Sequence, residues 1–173
     1  MRALKAGPLT LEPQTVSHAE EMFRVLSDPA IYEYENEPPV SVEWLRARYG
    51  KLESRRSSDG REQWLNWVIR MDEVGLIGYV QATVHDDGSA GIAYELGSAH
   101  WGRGLARRAT EAMLGELAGH YGVATIFAVA KQRNFRSLGL LARLGFSLAS
   151  PGLRANRGVE PDETLMVLDA ARH

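Results

Sequence analysis

Two groups of residues in the second half of the chain have the types and spacing for chemistry. The first is Trp101-Gly102-Arg103-Gly104-Leu105-Ala106, which follows an apolar run at 92–96 and leads into a long helical pattern. Glycines at 102 and 104 leave a turn without side chains at a helix N-terminus. Unpaired N–H groups converge there, an arrangement that binds phosphate. Arg103, Arg107 and Arg108 add positive charge beside it. The second group is Asn134, Ser137 and Leu144-Gly145-Phe146, about a strand and a turn later. Asn134 is a favoured N-cap and Ser137 falls in the first helical turn, so capping alone would account for both. A dinucleotide fingerprint needs Gly-x-Gly-x-x-Gly and an acidic residue about 20 positions on; neither is present.

Glu95 is the carboxylate to weigh as a general base. It lies one residue before the end of the strand that feeds the glycine loop, and apolar neighbours raise a carboxyl pKa. Such a group can take a proton from an ammonium nucleophile; a glutamate at a strand end can equally pair with a surface cation. His100 is a second candidate, with a suitable pKa. Glu33, Glu35 and Glu37 form an acidic loop able to draw a cationic acceptor, or simply a solvated one. The tryptophans (Trp44, Trp64, Trp67, Trp101) read as core.

The elements that would position these groups follow from periodicity. A strand at 9–12 precedes a helix that opens at Ser17 or His18 and stops at Asp28-Pro29. Ser41 caps a second helix to about Leu52. Strands at 64–69, 76–84 and 90–96 form a meander, with an Asp-Gly hairpin turn at 86–89. A helix over about 104–121 buries Leu105, Ala109, Ala112, Met113 and Leu117. The apolar run 123–130 predicts a strand covered on both faces and paired in parallel with 90–96 through a crossover. A short helix at 134–144, ended by Gly145, and strands at 146–149 and 164–168 complete the chain. Residues 151–161 read as a loose connection.

The chain has 173 residues, which predicts one domain. It has no cysteine, which removes disulfides, thiolate metal sites and a cysteine nucleophile. No His/Asp/Glu spacing suggests a metal. No apolar run reaches the roughly 18 residues of a membrane span, and the N-terminus lacks a signal-peptide core, so a cytoplasmic location is expected. Residues 1–100 hold 10 Lys/Arg against 16 Asp/Glu, while the whole chain holds 20 against 22. The second part is therefore basic, which suits a phosphate-bearing ligand, and the first acidic, which suits a cation. No like-charge block is dense enough for nucleic acid.

Taken in order (meander, Trp-Gly-Arg-Gly-Leu-Ala, helix, buried strand, Asn-x-x-Ser, Leu-Gly-Phe), these residues resemble the GNAT acetyltransferase superfamily. The likeness is to the branch that includes the ribosomal-protein-alanine N-acetyltransferases, and it runs from Leu9 to Leu168. It implies an α/β GNAT fold: a twisted, mostly antiparallel seven-stranded sheet with helices on both faces. The fourth and fifth strands would be parallel and splay apart. The single domain, 1–173, would have an acceptor-side half at about 1–90 and an acetyl-CoA-binding core at about 91–147. The implied reaction is acetyl transfer from acetyl-CoA to a primary amine, a protein N-terminus or small molecule, by direct attack. The alternative is a CoA-binding sensor or scaffold that has lost catalysis. Backbone amides of Gly102, Arg103, Gly104, Leu105, Ala106 and Arg107 would hold the pyrophosphate. Leu96 and Gly97 would pair with the pantetheine amides. Asn134 would contact the pantetheine arm, and Ser137 would lie near the thioester sulfur. The chain departs from the family pattern twice. Trp101 replaces Gln or Arg in the loop, and Leu141 stands where many members carry a tyrosine acid. Ser137 or water must then assist the leaving thiolate, and Glu95 and Ser137 are the catalytic candidates. The expected partners are acetyl-CoA and an amine, with no metal, nucleic acid or membrane; a homodimer is among the assemblies open to the chain.

Overall fold

Alternating apolar and polar residues build the sheet, and helices bury one stripe each against it. In the computed structural model, residues 1–170 are described; the last three residues of the expected domain lie outside them. The strands are β1 (Leu4–Ala6), β2 (Leu9–Pro13), β3 (Glu62–Met71), β4 (Gly75–His85), β5 (Ser89–Leu96), β6 (Thr125–Lys131), β7 (Ser147–Leu148) and β8 (Glu163–Asp169). The helices are α1 (Ala19–Leu26), α2 (Val42–Leu52), α3 (Leu105–Tyr121), α4 (Phe135–Arg143) and α5 (Pro151–Asn156). Together the strands form one eight-stranded sheet in the order β1-β2-β3-β4-β5-β6-β8-β7. The GNAT α/β architecture is therefore present, with one strand more than the seven expected. The additional strand, β1, folds back on β2 through a turn whose Gly7 has φ +63°. Three residues are too few to show a period in the sequence.

Only β5 and β6 run parallel. Their ladder starts at Ser89↔Thr125 and ends at Ile92↔Ala128, although β5 continues to Leu96 and β6 to Lys131. The pair thus separates at its C-terminal ends, which opens the middle of the sheet. Helix α3 packs on one face, where Leu105, Ala109, Met113 and Leu117 join β-strand residues such as Leu11, Ile77 and Ile126 in the larger core. Helices α1 and α2 cover the other face through Met22, Leu26, Leu45 and Tyr49. The expectation that β6 is covered on both faces needs correction. Val129 is 44% exposed, and Phe127 is shielded by the Arg157 guanidinium, 3.5 Å above its ring, rather than by a helical layer. The 151–161 connection, expected to be loose, contains α5, with Ser150 accepting a hydrogen bond from the Leu153 N–H. Among the described residues no helix is long and apolar enough to cross a membrane.

Candidate active site

The glycine loop is built as its spacing predicts. Gly102 and Gly104 have φ of +71° and +73°, and a Cβ at either would meet no heavy atom within 4 Å. The turn therefore presents bare backbone to open space. The first bond of α3 runs from the Arg108 N–H to the Gly104 carbonyl, so the N–H groups of Leu105, Ala106 and Arg107 lack intrahelical partners. Of these residues Leu105 is a core side chain, and Ala106 lines the gap between the splayed strands. The Arg107 guanidinium turns along the helix to Glu111 at 2.8 Å, while Arg103 stays exposed.

That gap is a cavity of about 130 Å³, lined by β5, β6, α4 and residues of the 30–35 loop. Asn134 caps α4, its Oδ1 accepting from the Ser137 N–H at 3.0 Å. Its structural role is thus the capping one. Both Asn134 and Ser137 line the gap. The Gly97 N–H donates to Ile77 in the β4 ladder at 2.9 Å. Because antiparallel hydrogen-bonded pairs alternate, Glu95 also faces β4, and the backbone groups of Tyr94 and Leu96 face the gap. Gly97 therefore uses its N–H inside the sheet, whereas the backbone of Leu96 is turned toward the gap. Trp101, the departure in the loop, has an inward indole. Its Nε1 donates to the Leu96 carbonyl at 2.8 Å, and the Arg136 guanidinium sits 3.7 Å over its ring. Asp28 braces the same region, accepting from the Ser98 N–H at 2.7 Å and the Ala30 N–H at 3.0 Å.

On the other face of the sheet a second cavity, of about 310 Å³, lies under α1 and α2. Glu95 and Ala93 border both cavities. Glu95 stands opposite Tyr79 in the β4 register. Gly78 keeps that register tight, since a Cβ there would overlap the Glu95 carbonyl oxygen. Burial, and then the neighbouring Glu35 carboxylate, push Glu95 up to about 7, against smaller opposing effects of the Leu96 N–H and Arg136. Glu35 lines the gap, and burial followed by Glu163 raises its pKa as well. Of the other acidic-loop residues, Glu37 lines the second cavity and Glu33 neither. His100 lines neither cavity. Its Nδ1 is buried without a partner among the described residues, and burial, then Arg103, lower its pKa.

Residues 8–147 match the family described as an acetyltransferase (GNAT) domain. The chain is a GNAT acetyltransferase. An uncharacterised N-acetyltransferase p20 of Bacillus licheniformis is 26% identical over 148 residues, spanning 84% of this chain and 83% of the relative. Among solved structures, RimL, a ribosomal L7/L12 α-N-protein acetyltransferase in complex with coenzyme A, is similar with a TM-score of 0.80 and 16% identity, over 96% of this chain and 97% of that one. A spermidine N-acetyltransferase chimera of Vibrio cholerae SpeG and hSSAT has a TM-score of 0.78 and 18% identity, over 96% and 98%. At such identities the two solved structures show the fold. Leu141, expected from the resemblance to stand where many members carry a tyrosine, is 1% exposed core. A phenol nevertheless reaches the gap from another element. The Tyr94 hydroxyl lies 2.7 Å from Ser137 Oγ, across 43 residues of sequence. Sequence reading missed Tyr94, along with Glu35's pairing with Glu95 and the residues that line the second cavity. The alternation of Tyr94 and Glu95 on one strand was the available signal, since neighbours in a strand face opposite sides.

Proposed function

We propose that this GNAT acetyltransferase acetylates a primary amine, with acetyl-CoA in the β5–β6 gap and the amine in the cavity beneath α1 and α2. The observation that carries this reading is that Glu95 borders both cavities. The gap suits the donor: Trp101 and Ala106, on either side of the bare glycine turn, line it, three N–H groups at the start of α3 lack intrahelical partners, and the Leu96 backbone faces it. Acetyl-CoA supplies an acetyl group activated as a thioester. Glu95 takes the proton that an ammonium must lose before its nitrogen can attack, and a pKa near 7 suits a base at neutral pH.

On the donor side, Ser137 and Tyr94 stabilise the departing thiolate. A phenol is a stronger acid than an alkyl hydroxyl, so Tyr94 donates to Ser137 Oγ, and the Ser137 proton is free to point into the gap. Burial pushes Tyr94 up to about 12, which keeps it a donor at working pH. A thiolate whose acid has a pKa near 8.5 is helped by such a hydrogen bond without full proton transfer. Tyr94 is thus a positioning residue, and Ser137 the group that meets the sulfur. The test is acetyl-CoA-dependent release of CoA across a panel of primary amines, with Glu95→Gln as the control. Turnover that requires an amine and collapses in Glu95→Gln supports the reading. Tight acetyl-CoA binding without turnover on a broad panel would replace it with a sensor or scaffold role.

A further inference from the structure

The second cavity is lined by charges of both signs. Glu95 and Glu37 are its carboxylates, and Arg48 is its one cation among the described lining residues. Arg48 lies on the edge of α2, one turn beyond Trp44, with its guanidinium 5.7 Å from the centre of that ring. Among the described residues no carboxylate lies within ion-pair distance of Arg48, whereas Arg46 on the same helix is paired with Glu20 and Glu43. A second donor is also unused. The Gln14 side chain lines the cavity, the residue is only 7% exposed, and its Nε2 has no hydrogen-bond partner. A buried amide nitrogen without a partner is unfavourable, and a hydrogen-bond acceptor in the cavity would satisfy it. Burial, and then Glu95, which stands opposite it in the register, oppose the ionisation of Tyr79, while Arg48 favours it.

We propose that this cavity selects amines that also carry a carboxylate, with the ammonium at Glu95 and the carboxylate toward Arg48 and Gln14. The inference rests on assigning the cavity to the acceptor. A polyamine offers only donors and positive charge. It would satisfy Glu95 and Glu37 but leave the Gln14 amide and Arg48 facing donors of their own kind. An ammonium-plus-carboxylate compound offers a partner to the carboxylates and to the donors alike. Two sources share that chemistry: a free amino acid, and a peptide whose first side chain is acidic.

The experiment compares kcat/KM at saturating acetyl-CoA for amines that differ in the carboxylate alone, leucine against isopentylamine, with spermidine as the polycation. Free glutamate against a glutamate-initiated tripeptide amide separates the two sources. Loss of one charged hydrogen bond corresponds to roughly ten- to a hundredfold, so leucine is expected to exceed isopentylamine by that factor. Arg48→Glu should remove the advantage, and Arg48→Gln should reduce it. Both changes are at an exposed position, so folding should survive. Calorimetric binding of the same amines to enzyme saturated with CoA reads the preference without chemistry. Carboxylate-bearing amines that bind in preference but do not turn over would leave this inference standing and defeat the proposed function. Preference for spermidine, a leucine-to-isopentylamine ratio unmoved in Arg48→Glu, or no binding of any carboxylate-bearing amine at millimolar concentration would overturn it.

Discussion

Glu95→Gln keeps the shape of the side chain and removes the charge, so it should change two observables in a linked way. The first is rate. Loss of a general base lowers turnover by roughly two to four orders of magnitude. Wild-type activity should rise with pH through about 7, where Glu95 ionises. The variant should lose that limb and recover activity only at higher pH, where the acceptor supplies its own free amine. The second observable is stability. A carboxylate whose pKa is raised by folding is harmless below its ordinary value, where it is protonated in both states. As pH rises, the folded state holds the proton longer than the unfolded chain, and stability falls until both are ionised. For Glu95 that window runs from 4.5 to about 7. The rise corresponds to about 3 kcal/mol at most, reduced to about 1–2 kcal/mol because the carboxylate borders open cavities. The variant should therefore melt about 2–8 °C above wild type at pH 8 and show no such gain at pH 4. Rate profiles from CoA release and melting curves at the two pH values check both. A variant with the native pH–rate profile, or one whose relative stability is the same at pH 4 and pH 8, refutes the assignment.

Glu35→Gln removes the carboxylate that opposes ionisation of Glu95, so the acidic limb of the rate profile should move to lower pH while the maximal rate stays within a fewfold. Gly104→Val forces a β-branched residue into φ +73°, at a cost of about 1–2 kcal/mol, and fills space assigned to the pyrophosphate. The rise in melting temperature with acetyl-CoA should disappear, and unchanged affinity in the folded variant would end the loop assignment. Ser137→Ala and Tyr94→Phe should each lower kcat, by about tenfold or more, with little change in acetyl-CoA affinity, the signature of an interaction made in the transition state. The double variant should be no slower than Ser137→Ala, because Tyr94 acts through Ser137; independent, multiplying effects would separate the two.

The part of the site legible in the sequence is the part made of contiguous residues. Gly102 and Gly104 declare their turn because only glycine takes positive φ freely, and a helical period follows at once. Ser41 and Asn134 declare their helices by capping. Of the proposed acceptor cavity, the sequence flagged only the carboxylates of Glu95 and Glu37. Gln14, Arg48, Tyr49 and Tyr79 come from a loop, a helix and a strand far apart in the chain, and each looks ordinary in its own neighbourhood. The hydroxyl beside Ser137 was sought one helical turn on, at Leu141, and the fold supplies it from β5 instead. The indole of Trp101 reads as core, and it does pack there, but its hydrogen bond to Leu96 depends on the chain doubling back through the 98–100 turn.

The pleat of β5 explains how one short segment presents groups to both cavities. Successive strand residues face opposite sides of a sheet, so Tyr94 points with Ile92 and Leu96 toward the α3 and α4 face, and Glu95 points with its neighbour Tyr79 toward α1 and α2. In a continuous sheet these groups would be separated by a closed layer of backbone. Here the ladder to β6 stops at Ile92, two residues before Tyr94, so the layer is open where the two groups stand. On the proposed assignment, the Ser137 and Tyr94 hydroxyls and the Glu95 carboxylate would then act on one bond from opposite faces. The same arrangement makes the site sensitive to register: a slip of one residue in β5 would exchange the two faces, and in the observed register a side chain at Gly78 would overlap the Glu95 carbonyl. Splay, register and pleat are thus a single device. The parallel pairing that separates the strands decides where the gap opens, and the antiparallel pairing on the other edge decides which residues face it.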